Sequence, residues 1–439
     1  MTVDLVVRNA IVVSCDDNGT VLRDGGVAVT NGRITRVAAS ADLEDAAAQA
    51  RTVIDGSGHI LMPGLVNSHC HAADSLFRGL VEDLPLEPWL QKVWTAEGAI
   101  LNPQTSYLGS VLGFSELLLS GVTSVMDMFW YPAETVRAAR KVGMRVSTGG
   151  IFFDGPGVTG GDLDARIAAA EAFFETFSGV DDVFPATMPH GAYTVGPENL
   201  KTARAIADRH GGLFSTHAAE TKAEQADVEG RYGSSVIRHL DYLDLLDDKV
   251  TLAHCVHLDD EEIAILARTG TTVSHNPVSN LKLASGIARI PDMLAAGVHV
   301  ALGTDGAISG NDLDMWMALR LAATLHKGAS QRADAVATTK ALAMATTAGA
   351  RALGAADRLG SLEPGKLADM ILIDVKRPHA VPMFDPVTHL VYSTANSDIR
   401  HVFVGGEQVV RDGVLTRHAI EDTMEEVAQL APRIAATVA

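Results

Sequence analysis

Cysteine is scarce in this sequence: Cys15, Cys70 and Cys255 are the three among 439 residues, with no C-x-x-C pair. That spacing excludes a disulfide framework and points to a reducing, cytoplasmic setting. Basic residues are also short, 35 Lys and Arg against 54 Asp and Glu, for a formal net charge of -19. Nucleic acid and anionic membranes are therefore not expected as partners, because both demand a basic face. A small anionic substrate stays open, since a few local side chains decide that. No uninterrupted apolar run reaches the roughly 18 residues of a membrane span. The opening stretch MTVDLVVRNAIVVSCDD has no basic leader or small-residue cleavage site, and reads as strands rather than a signal peptide. No G-x-G-x-x-G follows the first strand, which weakens an open dinucleotide-binding sheet.

Apolar residues are ample, at 47%, with 20% charged. That balance suits a globular protein with a real core, and the length suits one large barrel plus a smaller module. The first sixty residues carry short β-type runs (DLVVRNAIVV, GGVAVTNGRITRVA, RTVIDGSGHILM) broken by Gly, Asn and Asp turns. A similar vocabulary returns late, in ADMILIDV and IRHVFVGGEQVVRDGVL. Two β-rich ends predict a small β-sandwich built from residues 1–58 and 366–415. Between them eight apolar runs alternate with helix-like stretches: ILMPGLV, VTSVMDM, MRVSTGGI, VFPATMP, GLFSTH, VTLAHC, TTVSHN and VHVALGTD. Eight buried strands alternating with helices make an α/β fold, a (β/α)8 TIM-type barrel, over 59–365. Residues 416–439, with apolar positions at helical spacing, predict a terminal amphipathic helix.

The chemistry sits at strand ends. His69 and His71 close the first barrel run, PGLVNSHCH, where alternate residues share a face and two imidazoles point inward side by side. Cys70 between them faces the other way, as a core thiol. His217 ends the fifth run, His254 the sixth and Asp305 the eighth. Barrel enzymes draw their catalytic residues from the C-terminal ends of several strands. Three imidazoles and a carboxylate suit zinc or a similar ion with one position open to water. Spacing leaves open whether His254 is a ligand or a neighbour of the bound water. Glu220, three residues past His217, is the candidate proton carrier. His190 is either a substrate contact or a satisfied histidine at the start of a helix. Asp127, His257 and His275 read as structural residues.

Taken together, PGLVNSHCH, THAAET, AHCVH, SHNPVSNLKLASGIA and GTDGAISGNDLDM resemble the amidohydrolase superfamily. More narrowly they resemble its 5-methylthioadenosine/S-adenosylhomocysteine deaminase branch, with chlorohydrolases and guanine deaminases as neighbours. The resemblance runs nearly end to end, through LGSLEPGKLADMILID. It implies that His69, His71, His217 and Asp305 hold one divalent ion, with zinc expected and iron or manganese compatible. It implies that His254 contacts the metal-bound water, that Glu220 protonates the ring nitrogen of a purine, and that Asp305 accepts the water's proton. Glu97 would grip ribose hydroxyls, and His190 and Ser309 would contact the substrate. Two-metal barrels of this kind carry a lysine near the end of the fourth strand; VFPATMPHGAYTVG has none, so a single ion is expected. The branch often places a basic residue soon after the GMR of the third strand. Here VSTGGIFFDGPG follows Arg145 without one, which argues against the amino-acid tail of S-adenosylhomocysteine. The expected reaction is hydrolytic deamination of an adenosine-type nucleoside such as 5-methylthioadenosine, releasing ammonia. A guanine or aminotriazine aminohydrolase is the nearest alternative. A non-catalytic barrel that assembles with other proteins is the alternative of another class, disfavoured because every ligand is present. A homodimer or homotetramer is implied by the same resemblance.

Overall fold

The computed structural model describes residues 3–438; Met1, Thr2 and Ala439, the outermost ends of the expected terminal segments, lie outside the described residues. The N-terminal region supplies β1 (Val3–Val13), β2 (Val21–Thr30), β3 (Arg33–Ala39), β4 (Ala50–Asp55) and β5 (His59–Pro63). The eight barrel strands follow: β6 (Leu65–Cys70), β7 (Val122–Asp127), β8 (Arg145–Phe152), β9 (Val183–Pro189), β10 (Leu213–Ala218), β11 (Val250–His254), β12 (Thr272–His275) and β13 (His299–Leu302). The chain then returns to the first module with β14 (Met370–Asp374), β15 (Ile399–Val404), β16 (Glu407–Arg411) and β17 (Val414–Leu415).

All barrel pairings are parallel and run in chain order from β6 to β13. Strands β6, β7, β10, β11 and β12 are buried at every residue, as parallel strands covered on both faces must be. The seam between first and last strand is held largely by side chains. Asn67 Nδ2 donates to Thr304 Oγ1 at 2.7 Å, Ser68 Oγ donates to the Leu302 carbonyl at 2.8 Å, and the Asp305 N–H donates to the His69 carbonyl at 3.1 Å. The alternation is set locally by helix signals. Asp259 and Glu262 form a capping box before the helix Asp260–Thr269, and Gly270, at φ 75°, ends it just ahead of β12.

The terminal module is one continuous nine-stranded mixed sheet, ordered β17-β16-β15-β14-β5-β1-β2-β3, with β4 also beside β1. The long β1 pairs with β4 through Val3–Arg8 and with β5 through Ile11–Val12, so one strand serves two parallel partners in turn. The run ILMPGLV, expected as a single barrel strand, is split. His59–Pro63 pairs antiparallel with β14 in the module, and the first barrel strand begins at Leu65, later than the expected boundary at 59. Gly64 is the hinge: a Cβ there would stand 2.2 Å from Thr123 Oγ1, which no side chain tolerates. Finally, the helix Ile420–Ala435 lays Val427, Leu430 and Ile434 against a cluster that includes Trp89, Val93 and Ile100 of the helix Leu86–Ile100.

Candidate metal centre and active-site cleft

His69 and His71 emerge from β6 on one side, while Cys70 faces the hydrophobic core and burial pushes its thiol well above the usual range. Four groups converge at the mouth of the barrel. His69 Nε2 lies 3.4 Å from Asp305 Oδ1, His71 Nε2 lies 3.2 Å from the same oxygen, and His217 Nε2 lies 3.3 Å from His71 Nε2. A tetrahedral ion with bonds of about 2.0–2.1 Å requires ligand–ligand edges of about 3.4 Å. The spacing therefore fits one ion, and both ring nitrogens of the buried His69 have no hydrogen-bond partner among the described residues.

Several remaining atoms of these candidate ligands have partners. His71 Nδ1 lies 2.6 Å from the Met128 carbonyl, and His217 Nδ1 lies 2.6 Å from the His190 carbonyl, so each ring donates outward and turns its Nε2 lone pair to the centre. Ser279 and Ser309 donate to Asp305 Oδ2 at 2.6 and 2.8 Å, which leaves Oδ1 for the cluster. Burial pushes His69 down to about 4 and His217 well below the ordinary range, keeping both as neutral donors. Burial opposes charge on His71 too, but Asp305 outweighs it and lifts that ring to about 10; an ion would compete there with a proton. The backbone is strained around this point: Ala219, His254 and Asp305 sit at φ 53°, 75° and 62°, in the left-handed region.

His254 ends β11 beside this cluster, close enough to His69 and Asp305 to ligate with them. Its Nδ1 lies 2.8 Å from Asn280 Oδ1, which directs Nε2 inward to within 3.7 Å of Glu220 Oε2. Glu220 follows the end of β10 and is buried. Ser285 Oγ donates to its Oε1 at 3.1 Å. Burial raises the Glu220 carboxyl, and the neighbouring His254 pulls the other way. A cleft opens above this cluster. Its wall includes Trp89, Trp94, Phe129, Trp130 and Tyr193 among the aromatics, and among the described residues no Lys or Arg lines it. Arg145 is far from any such role, buried in a pair with Asp369 at 2.8 Å.

The structure places Glu97, His190 and Ser309 on the same wall. Glu97 projects from the helix Leu86–Ile100 and accepts from Trp130 Nε1 at 3.0 Å; burial lifts its carboxyl to about 7. His190 follows β9, with Nδ1 2.9 Å from Thr194 Oγ1 and its ring among Trp94, Phe153 and Tyr193. Ser309 spends its proton on Asp305, leaving lone pairs for a ligand. Asp127 accepts from the Ala72 N–H at 2.6 Å, His257 Nε2 lies 2.8 Å from the Ser285 carbonyl, and His275 packs against His326. Sequence reasoning missed Asp74, Trp130, Glu224 and Asn280. Asp74 carried a faint signal, an acid three residues past the H-x-H pair; the others depend on helices and loops whose approach only the fold reveals.

Known proteins resemble this chain along its whole length. The Amidohydrolase family profile matches residues 60–409. A 5-methylthioadenosine/S-adenosylhomocysteine deaminase of Syntrophobacter fumaroxidans is 39% identical over 98% of both chains. A 5'-deoxyadenosine deaminase of Methanosarcina acetivorans is 40% identical over 92% of both. The crystal structure of an adenosine deaminase from Xanthomonas campestris with bound zinc superposes with a TM-score of 0.96, at 33% identity and 99% coverage of each chain.

Proposed function

The chain belongs to the amidohydrolase family, and we infer that it is a metal-dependent hydrolytic deaminase of an adenosine-type nucleoside such as 5-methylthioadenosine. The observation that carries the reading is the buried Glu220 carboxyl, 3.7 Å from His254, on the wall of the cleft whose floor is the four-group cluster. His69, His71, His217 and Asp305 would hold one divalent ion, zinc first, with iron or manganese compatible. Such an ion, when bound, supplies Lewis acidity and lowers the pKa of a coordinated water toward about 7.

The chain's own groups divide the rest of the work. Asp305 takes a proton from the attacking water. Glu220 delivers its proton to the ring nitrogen next to the carbon under attack, which favours addition there. His254, steadied by Asn280, donates a hydrogen bond to the oxygen that gains charge. The proton on Asp305 then leaves with the amino group as ammonia, and the proton left on the added oxygen returns to Glu220 as the carbonyl forms, so one water replaces one amine. Glu97 accepts from a ribose hydroxyl, and His190 and Ser309 line the path of the base. The absence of Lys and Arg from the wall favours uncharged nucleosides over S-adenosylhomocysteine. A homodimer or homotetramer, a cytoplasmic setting consistent with three free cysteines, and segment boundaries near 365 and 415 belong to the same reading.

Ammonia release tests it, measured on 5-methylthioadenosine, 5'-deoxyadenosine, adenosine, guanine and an aminotriazine. Turnover of the adenosine compounds at the highest kcat/KM is expected. A preference for guanine or the triazine would replace this reading with the neighbouring aminohydrolases.

A further inference from the structure

One buried carboxyl of the cleft has no part in that chemistry. Asp74 lies in the short helical segment Ala72–Phe77 after His71, and its residue surface is 4% exposed. Its Oδ1 has no hydrogen-bond partner among the described residues, and its side chain lines the cleft. A Cβ on Gly306 would stand 3.0 Å from its Oδ2, so the backbone after Asp305 leaves room for this carboxyl and little else. The Glu97 carboxyl, which accepts from Trp130, lines the same cleft and its charge acts on Asp74.

Two carboxyls buried side by side are costly unless something donates to them. No Lys or Arg lines the cleft to do so. Trp130 donates to Glu97, so the donor that Asp74 Oδ1 lacks falls to the ligand. A ligand ammonium offers donors only. Each hydroxyl of a cis-diol both donates and accepts, and so matches a carboxyl pair whatever its proton count.

We propose that Asp74 is a specificity-determining residue which, with Glu97, clamps the 2'- and 3'-hydroxyls of a ribose, one carboxyl to each hydroxyl. The proposal rests on the nucleoside reading above and adds to it a second carboxyl and a demand for an intact cis-diol. A nucleoside that lacks either hydroxyl leaves one buried carboxyl without its donor, so it is rejected in the transition state as well as in the ground state.

The test compares ammonia release from adenosine, 2'-deoxyadenosine and 3'-deoxyadenosine by the wild-type holoenzyme and by Asp74→Ala and Asp74→Asn. The readout is the ratio of kcat/KM between substrates, which does not depend on the fraction of folded, metal-loaded protein. In the wild type the ribonucleoside is favoured by about 10- to 100-fold over each deoxy analogue. In Asp74→Ala the ratio falls toward unity for one analogue and stays high for the other, which identifies the hydroxyl that Asp74 holds. Asp74→Asn keeps one acceptor and shows the same loss in smaller measure. The clamp is overturned if the wild type turns over the deoxy analogues as fast as adenosine, while the deaminase reading stands. It is also overturned if Asp74→Ala leaves both ratios unchanged. Ammonia from none of the three nucleosides, nor from 5-methylthioadenosine or 5'-deoxyadenosine, would remove both readings together.

Discussion

Glu224 accepts the backbone N–H of Glu220 at 2.6 Å with one carboxyl oxygen and that of Ala219 at 3.1 Å with the other. It thereby pins the left-handed residue that aims the proposed proton donor, from one turn along the same chain segment. Thr221, whose hydroxyl accepts from the Glu224 N–H at 3.0 Å, fixes the start of the helix that carries it.

Glu224→Gln therefore removes one acceptor while keeping the shape of the side chain. Turnover is expected to fall about 10- to 100-fold with KM little changed, and stability by about 1–3 kcal/mol. Steady-state kinetics and thermal unfolding check both; a variant with wild-type kcat would dismiss Glu224 as a positioning residue.

The rate should fall on the alkaline side as Glu220 loses its proton. Burial raises that carboxyl, and the Ser285 hydroxyl, by donating to it, favours the ionised form. Ser285→Ala takes away that donor, so the carboxyl keeps its proton to higher pH. The alkaline limb of the kcat/KM profile is expected to move up, and a shift downward would contradict the role given to Glu220.

Chelation should destabilise the protein as well as silence it. An ion bound only by the folded chain contributes about 4 kcal/mol when present at 1,000 times its Kd. Chelator-treated protein is expected to unfold at a lower temperature, with zinc restoring both Tm and turnover. Asp305→Asn should show little of the zinc-dependent rise, and an undiminished rise there would exclude Asp305 from the ligand set.

Ile434 is 4% exposed, in the cluster that backs the Glu97 helix, and nearby Arg433 donates to the Ala99 carbonyl at 3.0 Å. Ile434→Ala should cost about 2–4 kcal/mol in stability. By loosening the helix it should also raise KM for ribonucleosides severalfold more than it lowers kcat. Equal effects on both would show that the helix braces the fold alone.

Much of this was legible in the sequence because its signals are local. Continuous apolar runs mark strands covered on both faces, and ligands at the ends of such runs have one direction in which to point. The split of ILMPGLV at Gly64 was not legible, since its cause is Thr123, far along the chain. Nor was the double pairing of β1, because strand partners are chosen by tertiary packing. Around the site, Glu97 could be placed by resemblance, whereas its Trp130 partner and the abutting Asp74 arrive on separate segments.

The barrel seam carries a consequence for biosynthesis. Asn67 and Thr304, which stitch it, stand 237 positions apart, and His69 and Asp305 are their neighbours. The first and last of the proposed metal ligands are thus made at opposite ends of barrel synthesis. A nascent or truncated chain that stops short of β13 lacks Asp305 and the complete ligand set, so full metal loading reports that the circle of strands has closed.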